Sequence, residues 1–158
     1  SAWTDRMSTI FSSNEDSSAV GRLLVWRWTI DFANRNPVFG GGFHAYLANA
    51  GQLTDYQEHD EADIFMEKAK AYHNIFFEVL GEHGYVGLII FLLIIGHTYK
   101  ILIGYYRNPG SEDWQRSFGL LGMMSITTFC VGGMFIGVAF SPWIYLMYAI
   151  AVLSLIHI

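Results

Sequence analysis

The apolar positions of this chain are unevenly distributed, because the stretch after Tyr85 is predominantly apolar while the stretch before it mixes apolar, polar and charged residues. Residues 87–106 form an apolar run that, as a helix, extends about 30 Å, the hydrocarbon thickness of a bilayer. Residues 118–140 predict a second span, and residues 143–158 a third that is cut short. The pattern predicts an all-α integral membrane protein with two to three transmembrane helices in residues 85–158.

Residues 1–84 predict an outward-facing loop region that carries amphipathic surface helices. A helix over about residues 19–34 would end at Asn36-Pro37, since the residue before a proline disfavours helix. Arg22 and Trp26 lie roughly opposite its apolar stripe, which suits the water-lipid boundary, although packing on neighbouring helices explains the pattern equally well. The predicted stripe consists of Leu24, Val25, Trp28 and Phe32.

Two polar segments of this region suggest functional sites, and each has a structural alternative. Gly40, Gly41 and Gly42 can form a nest of backbone amides for an anion, or a tight turn. Residues 58–63 are rich in acidic side chains but lack ordered ligand spacing, so we interpret them as a solvated loop and helix start rather than a metal site.

Composition limits the possible partners. The formal charge is −5, and the 9 Lys and Arg residues are never clustered, which argues against nucleic acid as a partner. The single cysteine, Cys130, lies in an apolar run and permits no internal disulfide.

The two ends of the sequence suggest a fragment. It opens without Met and without a signal peptide, which indicates an internal piece of a longer chain. Residues 153–158 resemble the in-frame translation of a sequencing adapter, the alternative being a natural apolar helix end. Sequencing the complete locus distinguishes these alternatives.

The short polar turn at residues 107–116 bears Arg107 and Arg116, and such loops favour the cytoplasmic side. Residues 1–84 would then face the periplasm. Within the first span, His97 is either a buried proton carrier or, as nearby Lys100 favours, a snorkelling or helix-packed side chain. In the second span, Gly133 and Gly137 form a G-x-x-x-G pattern that would let another helix pack closely.

The segment from His73 to Gly87 carries the most specific pattern. If residues 73–83 are helical, His73 and Glu82 lie on nearly opposite faces, so Glu82 cannot orient the imidazole. Gly84 and Gly87 then let the chain turn from a surface helix into a spanning one, or let another backbone approach closely. This places one imidazole at the edge of the bilayer.

These residue types suit group transfer at a membrane surface. Neutral imidazole can take a proton from a hydroxyl at ordinary pH, which is the role of a general base. The guanidinium of Arg22 presents a planar fork that matches phosphate oxygens and can stabilise a departing diphosphate. Trp26, four residues later on the same helix, can orient Arg22 by a cation-aromatic contact.

The pair His73-Asn74, followed by Gly84 and Gly87, resembles the signature of the bacterial O-antigen ligase family, in which a His-Asn or His-Ser pair precedes Gly-x-x-Gly. The longer run AYHNIFFEVLGEHGYVGL at residues 71–88 is most similar to the branch proposed as exosortase-associated O-glycosylation ligases. The resemblance extends over nearly the whole sequence from Met7 onward.

The resemblance implies a metal-independent glycosyl transfer, without a cofactor, at the periplasmic face of the bacterial inner membrane. A glycan on undecaprenyl diphosphate would move to a lipid A-core or protein acceptor, with His73 activating the acceptor and Arg22 holding the diphosphate. The resemblance further implies a multi-pass protein among membrane lipids, and a fragment that is inactive by itself. The residues expected to bind substrate are Asn74, Trp26, Gly84, Gly87 and Arg27.

Two alternatives remain open at this stage. A related O-antigen polymerase would use another lipid-linked glycan as acceptor. A non-catalytic membrane subunit of polysaccharide export would bind glycan without transferring it, and it would tolerate change at His73.

Overall fold

The computed structural model describes residues 21–49 and 72–156, and within these ranges every regular element is a helix. This confirms the predicted helical fold class for the described residues. The acidic segment at 58–63 lies outside them. The elements are α1 (residues 21–35), α2 (Ala45–Ala48), α3 (Ile75–Arg107), α4 (Asp113–Gly133) and α5 (Pro142–Ile156).

Helix α1 is amphipathic as predicted and ends before Pro37. The predicted stripe is confirmed by the burial of Val25, Trp28 and Phe32, whereas Leu24 is only half-buried. The stripe packs against Tyr46 of α2 and Tyr72, the residue that precedes His73. Of the two readings left open by the sequence, packing on neighbouring elements therefore accounts for this face.

Helix α3 is two helices joined by a kink at Gly84, whose φ of 64° and ψ of −165° are not helical. The predicted glycine hinge is confirmed. The first part begins at Ile75, so the prediction that His73 is helical was wrong, because Asn74 caps the helix and leaves His73 outside it. After the kink, residues 85–107 extend about 35 Å, enough to cross a bilayer.

Residues 37–44, here called the glycine turn, lie against this kink. The amide of Gly41 donates to the carbonyl of Gly81 (3.0 Å), that of Gly42 to Glu82 (2.8 Å), and that of Tyr85 to Pro37 (2.9 Å). The amide of Gly40 is occupied as well, since it donates to the Asn36 carbonyl at 3.1 Å. The three glycines therefore form a tight turn rather than an anion nest, because their amides are already bonded to backbone.

Helix α4 runs from Asp113 to Gly133, so the helix predicted at 118–140 begins and ends earlier in the chain. Residues 134–141, here called the return loop, leave the helix and dock on the first turns of α3. Gly133 does allow a close approach, but of the Ile75 side chain, which a Cβ would meet at 2.7 Å. Gly137 lies outside the helix, so the prediction that Gly133 and Gly137 together form a helix-packing face was wrong.

Helices α3, α4 and α5 pack together beyond the kink. Gly122 of α4 lies on the Leu102 side chain, and the Tyr105 hydroxyl donates to Ser154 of α5 at 2.9 Å. The ring of His97 lies 5.8 Å from that of Tyr148 on α5, which favours the helix-packed role over a buried proton carrier. Among the described helices α3 is long and apolar enough to cross a membrane, while α5 is apolar but shorter.

Replacing Gly84 by alanine should destabilise the fold. A Cβ there would lie 2.6 Å from the Pro37 carbonyl oxygen, and the φ/ψ combination of Gly84, which is essentially restricted to glycine, costs an L-residue about 1–3 kcal/mol. We expect Gly84→Ala to lower the thermal unfolding midpoint of the purified full-length protein. Gly96→Ala is the matched control, because nothing lies within 4 Å of its Cβ position. Equal midpoints for the two variants would contradict the proposed role of the kink.

Candidate active site

His73 lies at the junction between the apolar core of α1 and the start of α3. Its backbone is left-handed, with φ 50°, and its side chain is half-buried. A positive φ is uncommon outside glycine, although histidine tolerates it better than most residues. Left-handed non-glycine residues persist only where the surroundings enforce them, and they are concentrated at functional sites.

Contacts of the neighbouring Asn74 help to hold His73 in this conformation. Its side-chain oxygen accepts from the amides of Phe76 (2.9 Å) and Phe77 (3.4 Å), which caps α3. Its amide group donates to the carbonyl of Met134 in the return loop at 3.4 Å. The side chain is 3% exposed and is occupied by these contacts. Asn74, the residue after His73, thus caps α3 and links the start of this helix to the return loop.

Trp26 joins α1 to the same segment. Its indole nitrogen donates to the carbonyl of Tyr72 at 3.0 Å, and its ring stacks on Phe77 with centroids 4.9 Å apart. Arg22 precedes Trp26 by one turn, about 6 Å along the helix axis, and is half-buried. The structure therefore brings Trp26 to Tyr72 and Phe77, on either side of His73, and Arg22 lies one helical turn before Trp26 on α1.

The remaining predicted binding residues are placed differently. Arg27 is exposed on α1. Gly84 contacts the glycine turn by its backbone, and Gly87 lies so close to His83 that a Cβ would approach the His83 Cβ to 2.2 Å. Both glycines serve close packing around the kink.

Two carboxylates near the site were not among the predicted site residues. Glu82 accepts the amide of His44 at 2.9 Å, and Glu78 accepts the amide of Ala139 in the return loop at 2.9 Å. Burial raises the pKa of both carboxyl groups, partly offset by these hydrogen bonds. The available signal was two Glu residues, one turn apart, within a mostly apolar helix.

His83 belongs to an aromatic cluster beside these carboxylates. Its ring lies 4.8 Å from that of Phe43 in the glycine turn and 4.9 Å from that of Phe140 in the return loop. Burial lowers the pKa of this imidazole, which favours its neutral form. The first part of α3 thus contacts the glycine turn on one side and the return loop on the other.

These features define a class of protein: a helical chain with one helix long and apolar enough to cross a membrane, preceded by a histidine in a left-handed conformation and packed against a helix that carries an arginine. The sequence profile of the family described as O-Antigen ligase matches residues 1–92, and the chain belongs to this family.

A relative from Rhizobium meliloti (strain 1021), the exopolysaccharide production protein ExoQ, is 28% identical over 101 residues. That match includes 61% of this chain but only 23% of the relative, so the chain spans about a quarter of the relative's length. No solved structure matches the chain.

The buried Glu78 carboxylate should make stability depend on pH. Its folded-state pKa is raised above the ordinary value of 4.5, so its favourable contribution is present below pH 4.5 and is lost as the pH rises through the raised pKa. Glu78→Gln keeps an acceptor for Ala139 but cannot ionise. We expect wild type and variant to unfold at the same temperature at about pH 4, and the variant to become relatively more stable towards neutral pH.

Asp113→Asn is the control, since this carboxylate on the first turn of α4 is exposed. A stability difference between wild type and Glu78→Gln that stays constant across this pH range would contradict the role of burial.

Glu78→Ala should lower the free energy of unfolding by about 1–3 kcal/mol, because the buried Ala139 amide loses its partner.

Proposed function

We propose that this chain is part of a glycosyltransferase that moves a glycan from undecaprenyl diphosphate to a lipid or protein acceptor, such as lipid A-core, at the periplasmic face of the inner membrane. Membership in the O-antigen ligase family supports the polysaccharide class of substrate. The finer assignment of carrier and acceptor comes from the family resemblance. That of the membrane face comes from Arg107 and Arg116, which lie at the helix ends on either side of the short turn between α3 and α4. The proposed protein is multi-pass, with α4 and α5 as further spans.

The observation that carries the proposal is the docking of α1 beside His73. The Trp26 indole bonds the carbonyl of Tyr72 at 3.0 Å, and Arg22 lies one turn away on the same face of α1. Imidazole and guanidinium are the two groups that such a transfer needs, one for the incoming hydroxyl and one for the departing diphosphate.

In the proposed step, the imidazole of His73 takes the proton of the acceptor hydroxyl as its oxygen bonds to the anomeric carbon of the glycan. The bond between that carbon and the diphosphate oxygen breaks, and undecaprenyl diphosphate leaves with the electron pair. Arg22 stabilises the negative charge on the departing diphosphate through paired hydrogen bonds. No residue in this scheme requires a metal ion or a cofactor.

The buried contacts around His73 would hold the base in place. Asn74 occupies its hydrogen-bonding groups in capping α3 and bonding the return loop, which favours a positioning role over direct substrate binding. Trp26 similarly links α1 to Tyr72 and Phe77. Because the chain spans about a quarter of the relative's length, we propose that the fragment needs the rest of the protein for activity.

A second candidate is the polymerase of the same family, in which the acceptor is another lipid-linked glycan. The relative is described as an exopolysaccharide production protein, and both candidates act on polysaccharide. Gel profiles of surface glycan distinguish the two: loss of a polymerase leaves single repeats attached, whereas loss of a ligase leaves no attached glycan.

His73→Ala in the full-length protein should abolish glycan transfer while leaving membrane insertion intact. Loss of a general base lowers rates by about 10²- to 10⁴-fold. The variant is expressed in cells whose native gene is deleted, and the glycan attached to the acceptor is measured on gels. His97→Ala is the control, because that ring packs on Tyr148 far along α3. Normal ligation by a stably expressed His73→Ala protein would exclude the catalytic assignment.

Arg22→Lys should impair transfer although it keeps the charge, because ammonium cannot reproduce the paired bonds of the guanidinium fork. Losing one charge-assisted bond of about 1.5–3 kcal/mol corresponds to a rate loss of roughly ten- to hundredfold. Initial rates with purified lipid-linked glycan measure this effect. Arg116→Lys, in the first turn of α4, is the matched control and should retain full activity.

A further inference from the structure

The outer surface of the glycine turn and α2 is unusually apolar. Phe39 is 83% exposed, Phe43 66%, Leu47 62% and Val38 48%. Exposed apolar groups gathered in one short segment mark an interaction surface rather than ordinary surface variation. We name these four residues the apolar rim.

The segment that carries the apolar rim contains no charged side chain. From Asn36 to Asn49 the residues are neutral, apart from the titratable His44. A loop surrounded by water normally carries charges, whereas a segment in the boundary region of a bilayer favours aromatic and aliphatic side chains without them. Arg35, exposed at the end of α1 just before this segment, is placed to meet lipid phosphates.

The position of the rim is fixed relative to the spanning helix. The glycine turn bonds to Gly81, Glu82 and Tyr85, on both sides of the kink where the spanning part begins. The Tyr85 hydroxyl also donates to the Asn34 side chain at 2.8 Å, which ties the end of α1 to the same level. Tyrosine is a favoured residue at the membrane-water interface.

The rim also continues a surface that must contact lipid if α3 spans the bilayer. Just past the kink, Val86, Ile89 and Ile90 are between 46% and 56% exposed. Exposed apolar side chains therefore occur both on the turn, which bonds to Tyr85, and on the helix that continues from Tyr85. This continuity identifies the bilayer as the occupant.

We propose that the apolar rim inserts into the headgroup and upper acyl region of the bilayer, at the end of the span where α3 kinks. The turn then acts as a lipid-contacting anchor that fixes the height of the first part of α3, and with it His73, above the hydrocarbon. This contact with lipid does not depend on the proposed glycan transfer, so the failure of either proposal leaves the other intact.

Spin labels in the full-length protein, reconstituted in phospholipid vesicles, test this proposal. Single cysteines are introduced as Phe39→Cys and Leu47→Cys in a background where every native cysteine, including Cys130, is replaced. Collision of each label with oxygen, which partitions into lipid, is compared with collision with a water-soluble nickel chelate. The reference sites are Ile89→Cys on the span and the exposed Asp113→Cys in the polar region at its other end.

We expect both rim labels to be more accessible to oxygen than to nickel, with a ratio between those of the two reference sites. Nickel accessibility equal to that at Asp113 would overturn the proposal in favour of a water-exposed turn. Low accessibility to both reagents would overturn it in favour of coverage by another part of the full-length protein. Two label positions keep the test decisive if one variant fails to fold.

Discussion

The close crossing of two backbones at Gly40 and Gly84 is the constraint on which the rest of this structure depends. A Cβ at Gly40 would lie 2.6 Å from the amide nitrogen of Gly84. A side chain at Gly40 would therefore prevent the two backbone segments from approaching this closely. The crossing bends α3 and allows hydrogen bonds to form between the glycine turn and the helix. Without it, residues 75–107 would continue straight and the turn would have no partner.

The short helix before the kink organises the candidate site because different faces contact different segments. Glu82 holds the glycine turn through the His44 amide, while Glu78 and Asn74 hold the return loop through Ala139 and Met134. Burying carboxylates raises their pKa and is unfavourable for the charged form, yet each accepts a backbone amide in return. His73 lies directly before this cross-linked helix, in a left-handed conformation that the contacts maintain.

Family membership and geometry support different parts of the functional reading. The O-antigen ligase profile identifies the class of chemistry but not the acceptor. The contact of Trp26 with Tyr72 joins α1 to the segment before α3, which supports the proposal that an arginine on α1 and the histidine before α3 act on one substrate. In the proposed membrane placement the kink separates a surface helix from a span, which would set His73 at the level of the reacting bond of a lipid-linked diphosphate.

The sequence by itself determined the helical class, the spanning segment after Tyr85, the end of α1 before Pro37 and the hinge at Gly84, because apolar runs, proline and glycine act locally on the backbone. It also determined the family, through the spacing of His73-Asn74 and the two glycines. Only the tertiary structure decided that the glycine amides bind backbone rather than an anion, that α4 ends at Gly133, and that Glu78 and Glu82 face two loops. Those outcomes depend on partners tens of residues away, which no local pattern encodes.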